Sequence, residues 1–484
     1  MTHRLKVHEG RIGIVNIDAR MPFRFGVVTI EKVASATLAL DVSVNGTRLT
    51  GYASDLLAYK WFDKRPEKTP QDNVTDLIGV CGDAIAAASA MQAANPFENW
   101  RALDAEIHDR AIAAGFNHLG ASFGVSMVER AMIDALGRAL GKPFFNLVVD
   151  NDLALAPETV FDELAGMTVA EALPAVPAAD IGLRHTVGLA DPIFADEIAP
   201  ADRRGDGAPE TLEDYIAHDN LSYLKVKIGG TLEEDRERLA RMSRLIEATG
   251  RDIAITLDGN EQFADIDAFA GYLETIRASE AVARLLGRTL FIEQPVTRDA
   301  AMAGPIDAAA LATIGLPMLI DEADGWTTAF HEAMALGYRG VSHKNCKGVI
   351  HSLLNAMLIA RRNSEAGAGH YFQSAEDLSC LPIVSLNADL AVVATLGIGH
   401  VERNGHHYFG GLGHLTPAEI ECAVGHHADL YRSEADGARL VTETGRLHIA
   451  SLQVPGLGTA CAPDLDAMTP AAQWDPATLA ARAD

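Results

Sequence analysis

The chain has 484 residues, of which 48% are hydrophobic, and a formal net charge of −26. That length fits two domains, one of them large enough to be a barrel, and no uncharged apolar run is long enough to span a bilayer. The acidic surplus disfavours nucleic acid and anionic membranes as partners, and it means that an anionic substrate must be drawn in by a local cluster of cations.

The first twenty residues alternate like a strand and lack the apolar stretch and small-residue cleavage site of a signal peptide. Residues 4–18 and 31–54 read as extended runs, the second broken at Asn45-Gly46, a strong hairpin signal. A loop rich in charge and proline runs from Lys60 to Gln71. Helical periodicity follows over about 74–94, 99–114 and 121–140, and the last helix stops at Gly141-Lys142-Pro143. Residues 1–150 therefore read as an α+β domain.

From about residue 182 short β-branched runs alternate with helical stretches. The runs are Leu183–Leu189, Tyr223–Ile228, Ile253–Asp258, Thr289–Glu293, Pro317–Asp321, Gly340–Lys344, Gly369–Gln373 and Ile398–Glu402. Such a series of βα units predicts a parallel barrel over residues 151–414, in the α/β class. A doubly wound sheet is disfavoured because no glycine-rich phosphate loop follows an early strand. The run Gly410-Gly411-Leu412-Gly413 lies beyond the last strand and reads as a turn, against a phosphate-binding barrel. Segment 191–222 reads as a surface insertion. Residues 415–484 form a tail with a strand-like Arg446–Leu452 and a turn at Pro455-Gly456-Leu457-Gly458. The five cysteines (Cys81, Cys346, Cys380, Cys422 and Cys461) are odd in number and scattered. That argues against a disulfide framework or zinc cluster and suits a reducing cytoplasm.

Active sites of such barrels lie at the C-terminal ends of the strands, and here five consecutive strands end in charge. The second ends Lys225-Val226-Lys227, the third Asp258-Gly259-Asn260, the fourth Glu293-Gln294-Pro295, the fifth Asp321-Glu322 and the sixth Lys344. Two-residue periodicity puts Lys225 and Lys227 on one face. Asp258, Glu293 and Asp321 come from adjacent strands about 4.8 Å apart, so they can converge on one ion. Three hard oxygen donors without Cys or His suit Mg²⁺ or Mn²⁺. Such a cation stabilises the enediolate made when a proton leaves the carbon next to a carboxylate. A lysine near a metal and a second ammonium has its pKa depressed and becomes a plausible base. Lys227, with Lys225 beside it, and Lys344, from the opposite side of the barrel, fit that role. In SHKNCKG, Lys347 is the alternative to Lys344.

These motifs resemble the enolase superfamily and, within it, the muconate lactonizing enzyme subgroup of the mandelate racemase/muconate lactonizing enzyme family. The resemblance is carried by LKVKIGG (224–230), TLDGNEQF (256–263), FIEQP (291–295), PMLIDEAD (317–324) and SHKNCKGV (342–349). ERAMIDALGRALGKPFFNLV (129–148) and GRLHIASLQVPGLG (445–458) resemble the family's last capping helix and its C-terminal return. The resemblance implies a (β/α)7β modified TIM barrel with an N-terminal α+β capping domain that the C-terminal segment completes, and a homo-oligomer. It implies that Asp258, Glu293 and Asp321 hold Mg²⁺, that Lys227 and Lys344 exchange the proton, that Lys225 supports Lys227, and that Asn260 and Glu322 stand behind the metal ligands. Capping loops at ARMPFRFG (19–26) and LAYKWFDK (57–64) would close over the substrate, with Arg20, Arg24, Lys60 and Trp61 as contacts. Gln373 and Glu402 would face the substrate from later strands, whereas Glu376 reads as a helix cap.

Two departures bear on the substrate. Residues 341–348 contain no Asp, so the His–Asp pair of mandelate racemase relatives cannot be completed, although His370 lies near the seventh strand. The Asp-x-Asp of dipeptide epimerases at the eighth strand is replaced by Gly399-His400-Val401-Glu402-Arg403-Asn404. The expected activity is that of an isomerase, a racemase or epimerase first. A lyase or cycloisomerase shares the same enediolate, and a non-catalytic ligand-binding protein of this fold is the reading from another class.

Overall fold

The computed structural model describes residues 2–26, 28–434 and 437–479. Alternation at the N-terminus builds three antiparallel strands, β1 (Leu5–Phe25), β2 (Val28–Val44) and β3 (Thr47–Leu56), in the order β1-β2-β3. Asn45 and Gly46 make the tight turn between the last two, with φ of 51° and 88°, as a two-residue hairpin requires. Three helices follow: α1 (Pro70–Ala90), α2 (Pro96–Ala113) and α3 (His118–Leu140). Thr69 and Asp72 cap the start of α1 reciprocally, with Pro70 in the first turn, which satisfies backbone N–H groups that have no partner inside the helix.

Helix α3 is buried along most of its length because it lies between the sheet and the barrel. Its close seat on β3 depends on Gly51, where a Cβ would come within 2.0 Å of the Ala131 carbonyl oxygen. On the barrel side, the Glu129 carboxylate accepts the N–H groups of Val349 and Ile350 at 3.1 and 2.6 Å. Those N–H groups open the helix Val349–Ala366 and would otherwise have no acceptor. Burial nevertheless pushes the Glu129 carboxyl up to about 7.

The second body is a closed parallel barrel of β4 (Asp180–Val187), β5 (Tyr223–Lys227), β6 (Ala254–Asp258), β7 (Thr289–Glu293), β8 (Met318–Ile320), β9 (Gly340–His343), β10 (Phe372–Ala375) and β11 (His400–Arg403). Each strand pairs with the next, and β11 closes on β4 with Glu402 opposite Arg184. Seven strands lie within a few residues of the expected runs. The seventh, β10, begins three residues later than expected, because the apolar-looking start at Gly369 is used as a turn.

Strand Arg446–His448 runs antiparallel against β4 from outside, and Thr469 and Pro470 pair with Ile14 and Gly13 of β1. The disulfide-free expectation needs correction. Cys422 and Cys461, 39 residues apart, are joined in a disulfide, while Cys81, Cys346 and Cys380 are free and buried. Their meeting is made by the fold of the tail, which spacing alone does not encode. Segment 191–222 carries the helix Leu212–His218 and short turns. Among the described residues no helix is long and apolar enough to cross a membrane.

Candidate active site

The barrel strands are short, and each delivers its last residues to one rim. Lys225 is buried inside the barrel, where its ammonium lies 3.0 Å from Asp258, 2.7 Å from Glu293, 2.7 Å from Glu376 and 2.8 Å from Glu402. Lys227, two residues nearer the rim, donates to Asp258 at 2.5 Å. Lys344, just past β9, donates to Asp321 at 2.6 Å. Strands β5 and β9 are four positions apart around an eight-stranded ring, so the two rim lysines approach from opposite sides. Lys347 turns away from the rim to Asp324 and Ser342, at 2.9 and 2.7 Å.

Behind these groups, the Asn260 side chain donates to Glu322 at 3.3 Å, and its backbone N–H donates to Asp258 at 2.8 Å. The Asp321 N–H donates to the buried Gln294 side chain at 2.8 Å. Lys64, from the capping domain, spans to the barrel, lying 2.6 Å from Glu261 and 3.3 Å from Glu322.

Charge and burial compete at six of these positions. Burial raises the Asp258 carboxyl, but Lys225 and Lys227 bring it below its ordinary value. Burial likewise opposes ionisation of Asp321, yet Lys344 and Lys347 hold it well below the carboxylate range. Glu293 stays well above its ordinary value, through burial and the neighbouring Asp258 and Glu376, despite Lys225. Burial also raises Glu322. For Lys344 burial lowers the ammonium, but Asp321 outweighs it and the net shift is upward. Lys225 is raised in the same way by its four carboxylates, against its own burial. The expected lowering of a lysine by a second ammonium is thus not what this arrangement gives for Lys344, because a carboxylate is nearer than any cation.

Asn260 Oδ1 and Glu322 Oε2 are buried oxygens with no hydrogen-bond donor, Glu293 Oε2 has the Lys225 ammonium beside it at 2.7 Å, and burial and neighbouring carboxylates hold both Glu293 and Glu322 above their ordinary value. Hard oxygen acceptors of this kind fit Mg²⁺. The carboxylates are splayed, however. Among the described residues, only His185, His406 and His407 have three ligand atoms all within 4.8 Å of one another. Lys227 draws Asp258 to one side and Lys344 draws Asp321 to the other, so a shared ion would replace those lysine contacts.

Over the rim lies a narrow cleft. Phe23, Phe25, Ile30, Leu56 and Trp61 of the capping domain line it from above, and Lys227, Asn260, Lys344 and Glu402 from below. The Lys344 ammonium stands 4.3 Å over the Trp61 ring and that of Lys227 5.9 Å over Phe25, where ring quadrupoles attract cations.

Of the expected substrate contacts, Trp61 and Glu402 reach the cleft and four do not. Arg24 is exposed, because strand alternation turns Phe23 and Phe25 inward and Arg24 outward. Arg20 is tied at 2.7 Å to Asp206 and at 3.0 Å to Tyr215 in the insertion. Lys60 bonds the carbonyls of Arg65 and Lys68 at 2.7 and 2.5 Å and so braces its own loop. Gln373 points out of the barrel toward the Ser352 carbonyl. The late start of β10 explains the last miss. With the strand ending at Ala375, Glu376 takes the strand-end position; it is no helix cap but an acceptor for Lys225 and the buried Arg184. Arg184, Lys64 and the Phe23/Phe25 pair are the site residues that sequence reasoning did not single out. Only the aromatic pair carried a signal, in its spacing of two.

No protein-family model matches the chain, and no curated protein matches it in sequence. Among solved structures it is similar to a dipeptide epimerase from Cytophaga hutchinsonii complexed with Mg and D-Ala-L-Val, at 14% identity and a TM-score of 0.61, covering 96% of this chain and 99% of that one. A muconate lactonizing enzyme from Pseudomonas fluorescens complexed with muconolactone aligns at 16% identity and a TM-score of 0.60, over 95% and 97%. An N-succinyl Arg/Lys racemase from Bacillus cereus aligns at 18% identity and a TM-score of 0.56, over 96% and 98%. At such identities the likeness speaks to architecture: the chain has the fold of the enolase superfamily, a closed parallel barrel carrying an antiparallel-sheet capping domain.

Proposed function

We propose that the protein is a magnesium-dependent isomerase, of the racemase or epimerase kind, that exchanges the α-proton of a small carboxylic acid with an apolar substituent. The observation that carries this reading is the placement of Lys227 and Lys344 on opposite sides of one cleft, each beside a carboxylate that can hold the metal. Asp258, Glu293 and Asp321 are the groups that would hold it, with Asn260 and Glu322 behind them. Bound there, the ion supplies positive charge that favours a carboxylate-stabilised carbanion and offsets the carboxylate charge that now keeps Lys344 protonated.

The chain's own groups then divide the work. One rim lysine takes the proton from one face of the substrate and the other returns it to the opposite face, which inverts the carbon. Lys225, locked among four carboxylates, positions Glu293 and Glu402 rather than touching substrate. Among the residues lining the cleft the only cations are Lys227 and Lys344, both on the floor, so Phe23, Phe25, Ile30, Leu56 and Trp61 of the roof favour an apolar substituent. The structures of similar fold include a dipeptide epimerase and an N-succinyl amino-acid racemase, which supports the isomerase reading over elimination.

The test is proton NMR of pooled carboxylic acids, amino-acid derivatives, hydroxy acids and lactones together, incubated with the enzyme in D₂O with and without Mg²⁺. Loss of an α-proton signal only with Mg²⁺ supports the proposal and names the substrate class. Exchange that is equally fast after chelation would remove the metal from it.

A further inference from the structure

A second cluster of ligating side chains lies outside the cleft. Along β4 the side chains of Arg184 and Thr186 point into the barrel, where they meet Glu376 and Glu402. His185, between them, points out. It meets the helical turn Gly405–Tyr408 that follows β11, which presents His406 and His407. His185 Nδ1 lies 3.2 Å from His406 Nε2, and the rings of His185 and His407 stack with centroids 4.1 Å apart. One ligand nitrogen from each of the three falls within 4.8 Å of the others.

A hydrogen bond joins His185 to His406, but hydrogen bonding within the protein does not account for the rest of the cluster. His407 is 2% exposed, and neither of its ring nitrogens has a partner; His406 Nδ1 is also unpartnered. Buried polar atoms are ordinarily paired, so two free nitrogens on one buried ring call for a ligand. Burial holds all three imidazoles below their ordinary value, His406 down to about 4, and neutral imidazole is the form that binds metal. Two nitrogens at roughly 2.0–2.1 Å from a tetrahedral ion stand about 3.3 Å apart, which the His185–His406 separation matches.

We infer that His185, His406 and His407 form a second metal site, for a borderline ion of the zinc class, independent of the carboxylates at the barrel rim. Three imidazoles favour Zn²⁺ over Mg²⁺. His406 also lines an outer cavity with Arg20, Tyr215 and Asp219, which gives an ion an entry path. The Asp219 carboxylate lies 3.9 Å from His406 Nε2 and adds negative charge. The neighbouring Arg20 is already paired with Asp206. The site sits behind the cleft wall, since Tyr408 follows His407 and stacks on Phe23 at 4.1 Å, so occupancy would brace the apolar roof.

The experiment uses the full-length, untagged protein, stripped with chelator and titrated with Zn²⁺ by calorimetry in saturating Mg²⁺. The expected result is one equivalent bound, weakened at least tenfold by His185→Gln and by His407→Gln and unchanged by His8→Gln, which alters an exposed histidine. X-ray absorption at the zinc edge of the wild-type protein should show three imidazole nitrogens, a readout that does not depend on variants folding. No uptake by the wild type, sulfur ligation, or binding indifferent to His185→Gln and His407→Gln would overturn the site. Because Mg²⁺ is saturating throughout, none of these outcomes depends on the carboxylates or on substrate turnover.

Discussion

The cleft has a floor and a roof of opposite chemistry. The floor is a lattice of charge at the ends of barrel strands, in which Lys225 alone touches four carboxylates. The roof is aromatic and aliphatic, supplied by the end of β1, by Ile30 and Leu56, and by Trp61. Rigid strands hold the groups that would handle metal and proton, while the capping segments set what fits above them. The difference teaches that reaction and specificity are separable here and can be broken separately.

The largest effect is expected on the floor. Lys225→Met removes the ammonium that four buried carboxylates share, and stranding buried charge costs about 3–5 kcal/mol. Denaturant unfolding at neutral pH should show that loss, and a change under about 1 kcal/mol would mean that the floor is not the tightly balanced lattice described.

The floor was legible because strand ends are marked by composition. A charged residue closing each of five consecutive β-branched runs is visible in one sequence, and Lys225, Lys227, Asp258, Glu293, Asp321 and Lys344 all lie where period and spacing put them. The roof was not. Arg20, Arg24 and Lys60 drew attention as cations in an acidic chain, yet whether a side chain meets a cleft or a neighbouring carbonyl is decided by pairing partners far away in sequence. Asp206, which takes Arg20, lies 186 residues from it. Glu376 was misjudged for a local reason: three residues of error in the start of β10 put the strand end at the outward-facing Gln373, whereas the strand ends at Ala375 and Glu376 takes that position. The Cys422–Cys461 pairing and the histidine cluster depend wholly on tertiary approach.

Next in size is the junction between roof and floor, where Glu129 of α3 holds the start of the helix that follows Lys347. Its rise from 4.5 to about 7 means that the native state keeps a proton the unfolded chain releases. Its contribution is present in full below pH 4.5 and is lost as pH rises through about 7, a span of about 3 kcal/mol. Thermal melts of wild type and Glu129→Gln should diverge across that window, with the wild type losing stability relative to the variant. Parallel curves would show that Glu129 is ionised throughout.

The roof should yield smaller effects, confined to binding. Phe25→Ala and Trp61→Ala each remove buried aromatic surface worth about 1.5–3 kcal/mol, so KM for an apolar acid should rise at least tenfold. Arg24→Ala, one residue along the same strand but facing solvent, should change binding by less than about 0.5 kcal/mol. Steady-state kinetics with the acid found by the pooled exchange assay would measure all three. Equal effects at Arg24 and Phe25 would remove the alternation on which the roof rests.

The most direct test of the central claim, that two lysines serve opposite faces of one bound acid, is α-proton exchange in D₂O from each enantiomer separately. Lys227→Ala should retain metal-dependent exchange from one enantiomer and lose at least 100-fold from the other, roughly the contribution of a positioned base, with Lys344→Ala showing the reverse pattern. If both variants exchange both enantiomers at the parental rate, or if Lys347→Ala rather than Lys344→Ala gives the one-sided loss, the assignment of Lys227 and Lys344 as facing partners is contradicted.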